Sequence, residues 1–527
     1  MDQAHTHDAA IGRTGADDLV ATLVGGGIDV CFANPGTSEM HFVAALDRSD
    51  GMRCVLALFE GVATGAADGY YRMSRRPAAT LLHLGPGLAN GAANLHNAKK
   101  AASGAVNVVG EHATFHIAYN APLTADIEGL ARPVSHWVRT TRSVQELSTD
   151  GADAVSEARQ GAGRISTLIV PADIAWAPSA GARGTARPPL PGKVASPVSI
   201  EEAAKALRAG AGSLLLIGGL AVTARGKQIA AAIAAKTGCK LRSPISSART
   251  ERGAGRVEVA RVPYAGDQAI EALKGIEQVV LCGTRQPVSN FAFPDRSNVL
   301  TQPGCRFIEL ASIDDDLIGT LQALADAVGL RSYDVELPAQ PKPERPIGAL
   351  SPEGIARAIT SLLPENTIVV DEAVTTGRGF AGITSAAAPH DWLQNTGGSI
   401  GFGMPVAIGA ALACPDRQVL CLEGDGSAMY TTQSLWTMAR ENLDITVVIM
   451  SNRAYQILRA QLPRVGIANP GRRSIDMLTL DRPHLDWTAM AKAHGVEAGV
   501  ATDLESLVRQ LNRGFSLRGP YLIELVL

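Results

Sequence analysis

Two acidic segments far apart in the chain carry the residue types that catalysis uses. Asp425 lies in the turn GDGS, between an apolar run at 419–422 and a helical stretch; a second apolar run at 445–450 ends at Asn452. Gly424 and Gly426 let the backbone bend tightly and approach a ligand, and Asp425 offers a hard oxygen donor. In a strand-helix-strand crossover both strands end on one edge of the sheet, so Asp425 and Asn452 converge there. That arrangement suits a divalent cation with room for a diphosphate. It equally suits an ordinary βα turn with Asn452 as a strand cap. Glu60 closes the run CVLALF at 54–59 and precedes GVATGAADGY, a helix start dense in small residues. There it either complements the helix macrodipole or, in an apolar pocket, keeps a raised pKa and shares a proton with an aromatic nitrogen.

The elements that must position these residues alternate along the chain. Apolar strand candidates fall at 30–33, 54–59, 80–84, 106–109 and 167–170, separated by Gly/Ala-rich helical stretches such as 61–69 and 90–102. Such alternation implies a mainly parallel sheet covered by helices. APSAGARGTARPPLPGKVASPVS at 177–199 and LPAQPKPERP at 337–346 have no apolar period and read as linkers. Further strand candidates lie at 214–217, 279–281 and 307–310, and then at 367–370, 419–422, 445–450 and 521–527. The expected fold is α/β, with three doubly wound parallel-sheet domains at 15–176, 200–336 and 347–527. A flexible tail is expected at 1–14. The outer two domains could be distant duplicates, although no repeat aligns by eye.

At 527 residues, 46% hydrophobic and 19% charged, the chain has material for about three cores. A formal charge of −3 leaves no electrostatic footprint for nucleic acid or an anionic membrane. The polar N-terminus lacks a signal-peptide core, and no apolar run approaches a membrane span. Cysteines 31, 54, 239, 282, 305, 414 and 421 are scattered without a CxxC pair and read as reduced thiols of a cytoplasmic protein. His5 and His7 could bind a metal in isolation but belong to the tail. GGLAVTARGK at 218–227 has neither GxGxxG nor P-loop spacing, which counts against a nicotinamide-dependent dehydrogenase.

The unit GDGS, amphipathic helix, apolar strand and Asn resembles the thiamin diphosphate motif of the acetolactate synthase, benzoylformate decarboxylase and pyruvate oxidase family. The resemblance implies a pyrimidine-binding first domain, a central domain and a diphosphate-binding third domain. It implies Mg²⁺ held by Asp425, Asn452 and the Ala454 carbonyl, with Gly424, Gly426, Ser427 and Tyr455 lining the diphosphate. LFEGVATGAADGYYR resembles the family's first-domain motif, which makes Glu60 the partner of the cofactor's aminopyrimidine; the cofactor then does the difficult bond chemistry. FANPGTSEMHF resembles the N-P-G-x-x-E loop and places Thr37 at the substrate. LLHLGPGLANGAANLHNA resembles the GPG segment and makes His83 a proton-transfer group, while a histidine satisfied at a strand end is the plainer alternative. NTGGSIGFGMPVAIGAAL resembles the stretch that bends the cofactor, with Ile400 as the wedge and the Gly398 carbonyl on the amino group. VVDEAVTTG places Thr375 near the diphosphate. Each of these residues alone suits a packing role; their shared order carries the resemblance. Glu111 stands where many members have an amide, and Glu111 with His112 could form an acid/base pair or a surface pair.

The wording CFANPGTSEMHFVAALD and FEGVATGAADGY most resembles flavin-independent acetolactate synthase large-subunit homologues. Where flavin-binding members carry a characteristic Lys this chain has Ser135-His136-Trp137, so FAD is not expected. GTRQPVSNFAFP offers Asn290 in place of the second histidine of benzoylformate decarboxylase. The resemblance implies decarboxylation of a 2-oxo acid followed by carboligation, with release of an aldehyde as the alternative and a non-catalytic cofactor-binding paralogue as the third. It also implies a homodimer or homotetramer with each site at a subunit interface.

Overall fold

The computed structural model describes residues 12–293, 297–337 and 340–527. Most of the expected tail, His5 and His7 included, and part of the second linker lie outside the described residues. Thr14, assigned to that tail, instead caps the first helix, Gly15–Gly25, through a reciprocal capping box with Asp17.

The fold is α/β, with three mostly parallel sheets. The first holds β1 (Val30–Asn34), β2 (Arg53–Leu56), β3 (Ala78–Leu82), β4 (Ala105–Glu111), β5 (Trp137–Thr140) and β6 (Ile165–Pro171), in the order β2-β1-β3-β4-β6-β5. The middle sheet holds β7 (Ser213–Ile217) and β8 (Lys240–Arg242), then, past a short strand β9 (Thr250–Arg252), β10 (Gln278–Cys282) and β11 (Arg306–Ala311), in the order β11-β10-β7-β8. The third is built from β12 (Ile368–Glu372), β13 (His390–Gln394), β14 (Val419–Gly424), β15 (Ile445–Ser451), β16 (Glu497–Ala501) and β17 (Tyr521–Val526). The chain forms two compact units. Among the described residues, one takes 12–71, 75–99 and 103–189 and carries the first sheet; the other, which holds the middle and third sheets, takes 72–74, 100–102 and those from 190 onward.

Central strands are buried on both faces, as continuous apolar runs require in a parallel sheet. Every residue of β3, β4, β6, β7 and β15 is buried. In the third sheet, Val369, Leu420, Leu422, Val448, Ile523 and Leu525 pack against the helices Pro352–Leu362 and Leu504–Ser516. Those helices start cleanly because Ser351 and Asp503 accept hydrogen bonds from the Gly354 and Ser506 amides.

Apart from β9, the third sheet runs β13-β12-β14-β15-β17-β16. Counting from its own first strand, this is the order of the first sheet. The duplication that no alignment reveals is thus present as topology. In both, the chain reverses direction across the sheet between the first and third strands, the position where doubly wound folds open a crevice at the carboxyl ends.

Several expectations change. The run 54–59 leaves the sheet at Leu56, so Glu60 opens the helix Glu60–Ser74 rather than closing a strand. The GPG segment forms the first turn of the helix Leu84–Lys100, where a proline is tolerated. β9, from the stretch assigned to the central domain, pairs antiparallel with β13 as the edge of the third sheet. β5, β8, β13 and β16 escaped the apolar-run reading because their sequences, WVRT, KLR, HDWLQ and EAGVA, are short and mixed.

Candidate active site

β14 and β15 pair in register to Gly424 opposite Met450, so the turns that follow them leave from the same edge. Asp425 opens the short helix Asp425–Ala428 and is almost fully buried. Its Oδ1 accepts the Gly426 amide at 2.8 Å and its Oδ2 accepts the Arg453 amide at 2.5 Å. The Asn452 Oδ1 accepts the Ala454 amide at 3.1 Å. Asp425 and Asn452 are thereby brought onto one stretch of backbone. Burial pushes the Asp425 carboxyl above its usual range, against the pull of the Arg453 and Gly426 hydrogen bonds. Gly426 has to be glycine, since a Cβ there would lie 2.6 Å from the Tyr455 ring. Burial beside Tyr430 and Asp425 raises the Tyr455 hydroxyl too.

The loop bearing Gly398 and Ile400 is held at both ends. Asn395 accepts the Gly397 and Gly398 amides and donates to the Ser399 carbonyl. Beyond Ile400, which is half-buried, Glu372 Oε1 accepts the Gly401 amide at 3.1 Å, and its Oε2 accepts those of Phe402 and Gly403 at 2.8 and 2.7 Å. Glu423 Oε1 accepts the next amide, Met404, at 2.8 Å. Glu372 and Glu423 are register partners at the ends of β12 and β14 and are fully buried. Burial pushes Glu372 up to about 7 against its three backbone hydrogen bonds, and burial beside Glu372 pushes Glu423 further. Both carboxyls are therefore shifted toward the protonated form, Glu423 the more strongly. A buried carboxylate costs several kcal/mol, and hydrogen bonds to a charge contribute about 1.5–3 kcal/mol each, so three amides suffice for one charge and not for two. Sequence reasoning passed over both residues; the only signal was an acid ending each of two apolar strands.

In the first unit, Glu60 is buried at the head of its helix; its Oε2 accepts the Asn90 Nδ2 at 3.0 Å, and Gly87 makes room for its Oε1. His83 follows β3, and its Nδ1 lies 2.8 Å from Glu39 Oε2, which also takes the Gly36 amide. A Cβ at Gly36 would overlap the His83 ring, and one at Gly110 would overlap Glu39. Glu39 is the acid of the N-P-G-x-x-E loop, absent from the expected site, and here it orients the histidine. Thr37 is exposed at the start of the same loop's helical turn. Glu111 ends β4, and its Oε1 accepts the His112 amide rather than a ring nitrogen, so the suggested side-chain acid/base pair is replaced by a backbone contact. Burial raises Glu111. The His112 Nε2 is buried without a partner, and its ring packs on His116 with centroids 5.3 Å apart.

Backbone strain marks the same places. Leu84 after His83 (φ 47°), Val374 beside Thr375 (φ 40°) and Arg453 after Asn452 (φ 56°) occupy the left-handed region without being glycine. For a β-branched residue such as Val374 this is an outlier, and strain of this kind concentrates at functional loops.

Comparison with known proteins assigns the family. The models of the thiamine pyrophosphate enzyme N-terminal and C-terminal TPP binding domains match residues 13–128 and 376–525. A Mycobacterium tuberculosis protein that carries the provisional name acetolactate synthase large subunit IlvX is 47% identical over 513 residues, 97% of this chain and 98% of its own. The chain belongs to the thiamine pyrophosphate enzymes. Benzoylformate decarboxylase of Pseudomonas aeruginosa is 30% identical over 94% of this chain and 96% of its own. The solved structure of a Rhodococcus jostii thiamine diphosphate-dependent 4-hydroxybenzoylformate decarboxylase shares the fold, with a TM-score of 0.82 at 22% identity, covering 98% of this chain and 99% of that one.

A thiamine pyrophosphate enzyme has to hold a diphosphate, and the donors present fit a cation beside one. Among the described residues no cluster of three or more His, Cys, Asp or Glu side chains is arranged for a metal. Asp425 and Asn452 supply one carboxylate and one amide. A hard cation there would take its remaining oxygens from backbone and phosphate, as Mg²⁺ commonly does, and would relieve the desolvation that raises Asp425.

The acid pair yields a test. A carboxyl whose folded pKa lies above its unfolded value of 4.5 makes the folded state hold more protons, so stability falls as pH rises from about 4.5 through 7. Replacing Glu423 with the uncharged Gln removes the more strongly shifted of the two titrating groups. Thermal melts of Glu423→Gln are expected to lose less stability than the wild type between pH 5 and 8, by an amount on the order of a few kcal/mol. Parallel pH profiles would show that the pair does not titrate in this range.

Proposed function

We propose that the protein decarboxylates a 2-oxo acid and joins the acyl fragment to a second carbonyl compound, in the manner of acetolactate synthase, using thiamin diphosphate and Mg²⁺. The tie between Asp425 and the Arg453 amide, next to Asn452, carries this reading: it presents a carboxylate and an amide side by side at one sheet edge. The 47% identity to the protein named acetolactate synthase large subunit supports the ligase outcome. The cofactor, when bound, supplies the electron sink for loss of CO₂.

In this reading the chain's own groups bind, orient and move protons. Asp425, Asn452 and the Ala454 carbonyl hold the cation, with Gly424, Gly426, Ser427, Tyr455 and Thr375 around the diphosphate. Ile400 and the Gly398 carbonyl fix the cofactor's bend, on the loop that Glu372 and Asn395 clamp. Glu60 holds a proton against the pyrimidine nitrogen, and Asn90 keeps its carboxyl in place. His83, steadied by Glu39, moves a proton at the substrate carbonyl, and Thr37, Glu111 and His112 line the substrate side.

Glu60 and Asp425 belong to different compact units, and we infer that the working form is a homodimer or homotetramer in which Glu60 of one protomer serves the cation site of its partner. Exposed apolar side chains after β4 (Phe115, Tyr119, Leu123) and after β14 and β15 (Met429, Tyr430, Leu458) support burial against another copy. No described helix is long and apolar enough to cross a membrane. The seven cysteines are all free. Both agree with a cytoplasmic enzyme.

A second reading, decarboxylation with release of an aldehyde, is favoured by the Glu39-held histidine and by the benzoylformate decarboxylase relative. Supplying the protein with thiamin diphosphate, Mg²⁺ and pyruvate, benzoylformate or oxaloacetate separates the two. Acetolactate from pyruvate supports the first, a free aromatic aldehyde the second, and no CO₂ from any donor counts against both. Glu60→Gln is expected to lower kcat by about 10²–10⁴-fold with the fold intact by circular dichroism; wild-type turnover would remove Glu60 from the mechanism. Light scattering should find a dimer or larger in active fractions, and an active monomer would contradict the shared site.

A further inference from the structure

At the β9 edge of the third sheet lies a second cluster of charge that no step of the proposed reaction uses. Lys227 sits in the first turn of the helix Ala224–Thr237, which Thr223 caps through the Gly226 amide. Its side chain is 1% exposed, and its Nζ has no hydrogen-bond partner. Arg252, on β9, is 4% exposed. One of its terminal nitrogens donates to Glu258 at 3.2 Å and to the Ala381 carbonyl, and its guanidinium lies 5.1 Å from the Trp392 ring centre. Its Nε is also without a partner. Both cations line one small void of about 30 Å³, together with Ser243, Thr250, Glu258 and Arg261.

Two buried cationic groups with free N–H donors facing one void are costly unless something accepts from them. Direct contacts do not match the two cations: Arg252 pairs with Glu258 at 3.2 Å, while Lys227 Nζ has no partner. Burial, helped by the nearby Arg252 and Arg256, holds Lys227 down to about 8, and burial with Arg261 nearby lowers Arg252. Water would accept the hydrogen bonds but leave the Lys227 charge unpaired. A void of this volume has room for one or two water-sized groups.

We propose that this void is a binding site for a single small monovalent anion of halide size, held by Lys227 Nζ and Arg252 Nε. The site joins a helix of the middle layer to the strand that β9 adds to the third sheet, so an anion there fastens the two together. Neither Asp425 nor Asn452 lines it.

The test uses bromide. Crystals of the full chain grown in sodium bromide are expected to show one anomalous peak in the void, between Lys227 and Arg252. In melts at constant ionic strength, a hundredfold rise in bromide replacing gluconate is expected to raise Tm by about 2–4 °C in the wild type and not in Lys227→Met. Ordered waters with no anomalous peak would overturn the proposal, as would an equal bromide response in the variant. Should Lys227→Met fail to fold, the wild-type diffraction experiment decides alone.

Discussion

The hydrogen bond from the Arg453 amide to the Asp425 carboxylate is the contact on which the rest of the candidate site depends. It joins the turn after β14 to the turn after β15, and it explains why two residues separated by a whole crossover share one edge. It exists because the strands are parallel and in register, which puts their carboxyl ends together, and because Arg453 accepts a left-handed backbone that aims its amide inward. The cost is a carboxylate buried beside few charges, which raises its pKa. A divalent cation bound there would offset that cost, which is the physical basis of the proposed metal and diphosphate site.

The two outer sheets repeat one design. In each, a pair of polar side chains spans the reversal point between the first and third strands. In the first sheet this is Glu39 with His83, and in the third it is Glu372 with Glu423. One pair aims an imidazole; the other locks four consecutive amides, from Gly401 to Met404, at the head of the helix Gly403–Ala413. The buried acids are thus positioning groups. They act on a loop rather than on a ligand, and they satisfy amides that burial takes away from water.

How much of this was legible in the sequence follows from which interactions are local. Apolar runs bounded by glycine gave the central strands of all three sheets, because parallel strands buried on both faces have no alternation to disguise them. Edge strands such as β16, with Gly499 and two half-exposed positions, carry no such signature. β9 could not be assigned at all, since its partner β13 lies more than a hundred residues away and tertiary pairing overrode weak local preference. Asp425, Asn452 and Glu60 stood out because the motifs around them, taken together, resemble those of a known family; each alone has an ordinary structural use. Glu39, Glu372 and Glu423 did not, because an acid after an apolar run is common and its meaning depends on amides contributed from elsewhere. Glu111 and His112 were legible as neighbours, but the choice between ring and amide as the carboxylate's partner is a matter of rotamers, which sequence does not specify.

The central claim is that Asp425 and Asn452 act as one cation clamp for a diphosphate. Calorimetric titration of thiamin diphosphate into metal-free protein, with and without Mg²⁺, tests it in the wild type and in Asn452→Ala. The account predicts tight binding only with Mg²⁺, and a loss of about 10–100-fold in affinity when Asn452 is truncated. Equal binding with chelator present, or an unchanged affinity in Asn452→Ala, would contradict it.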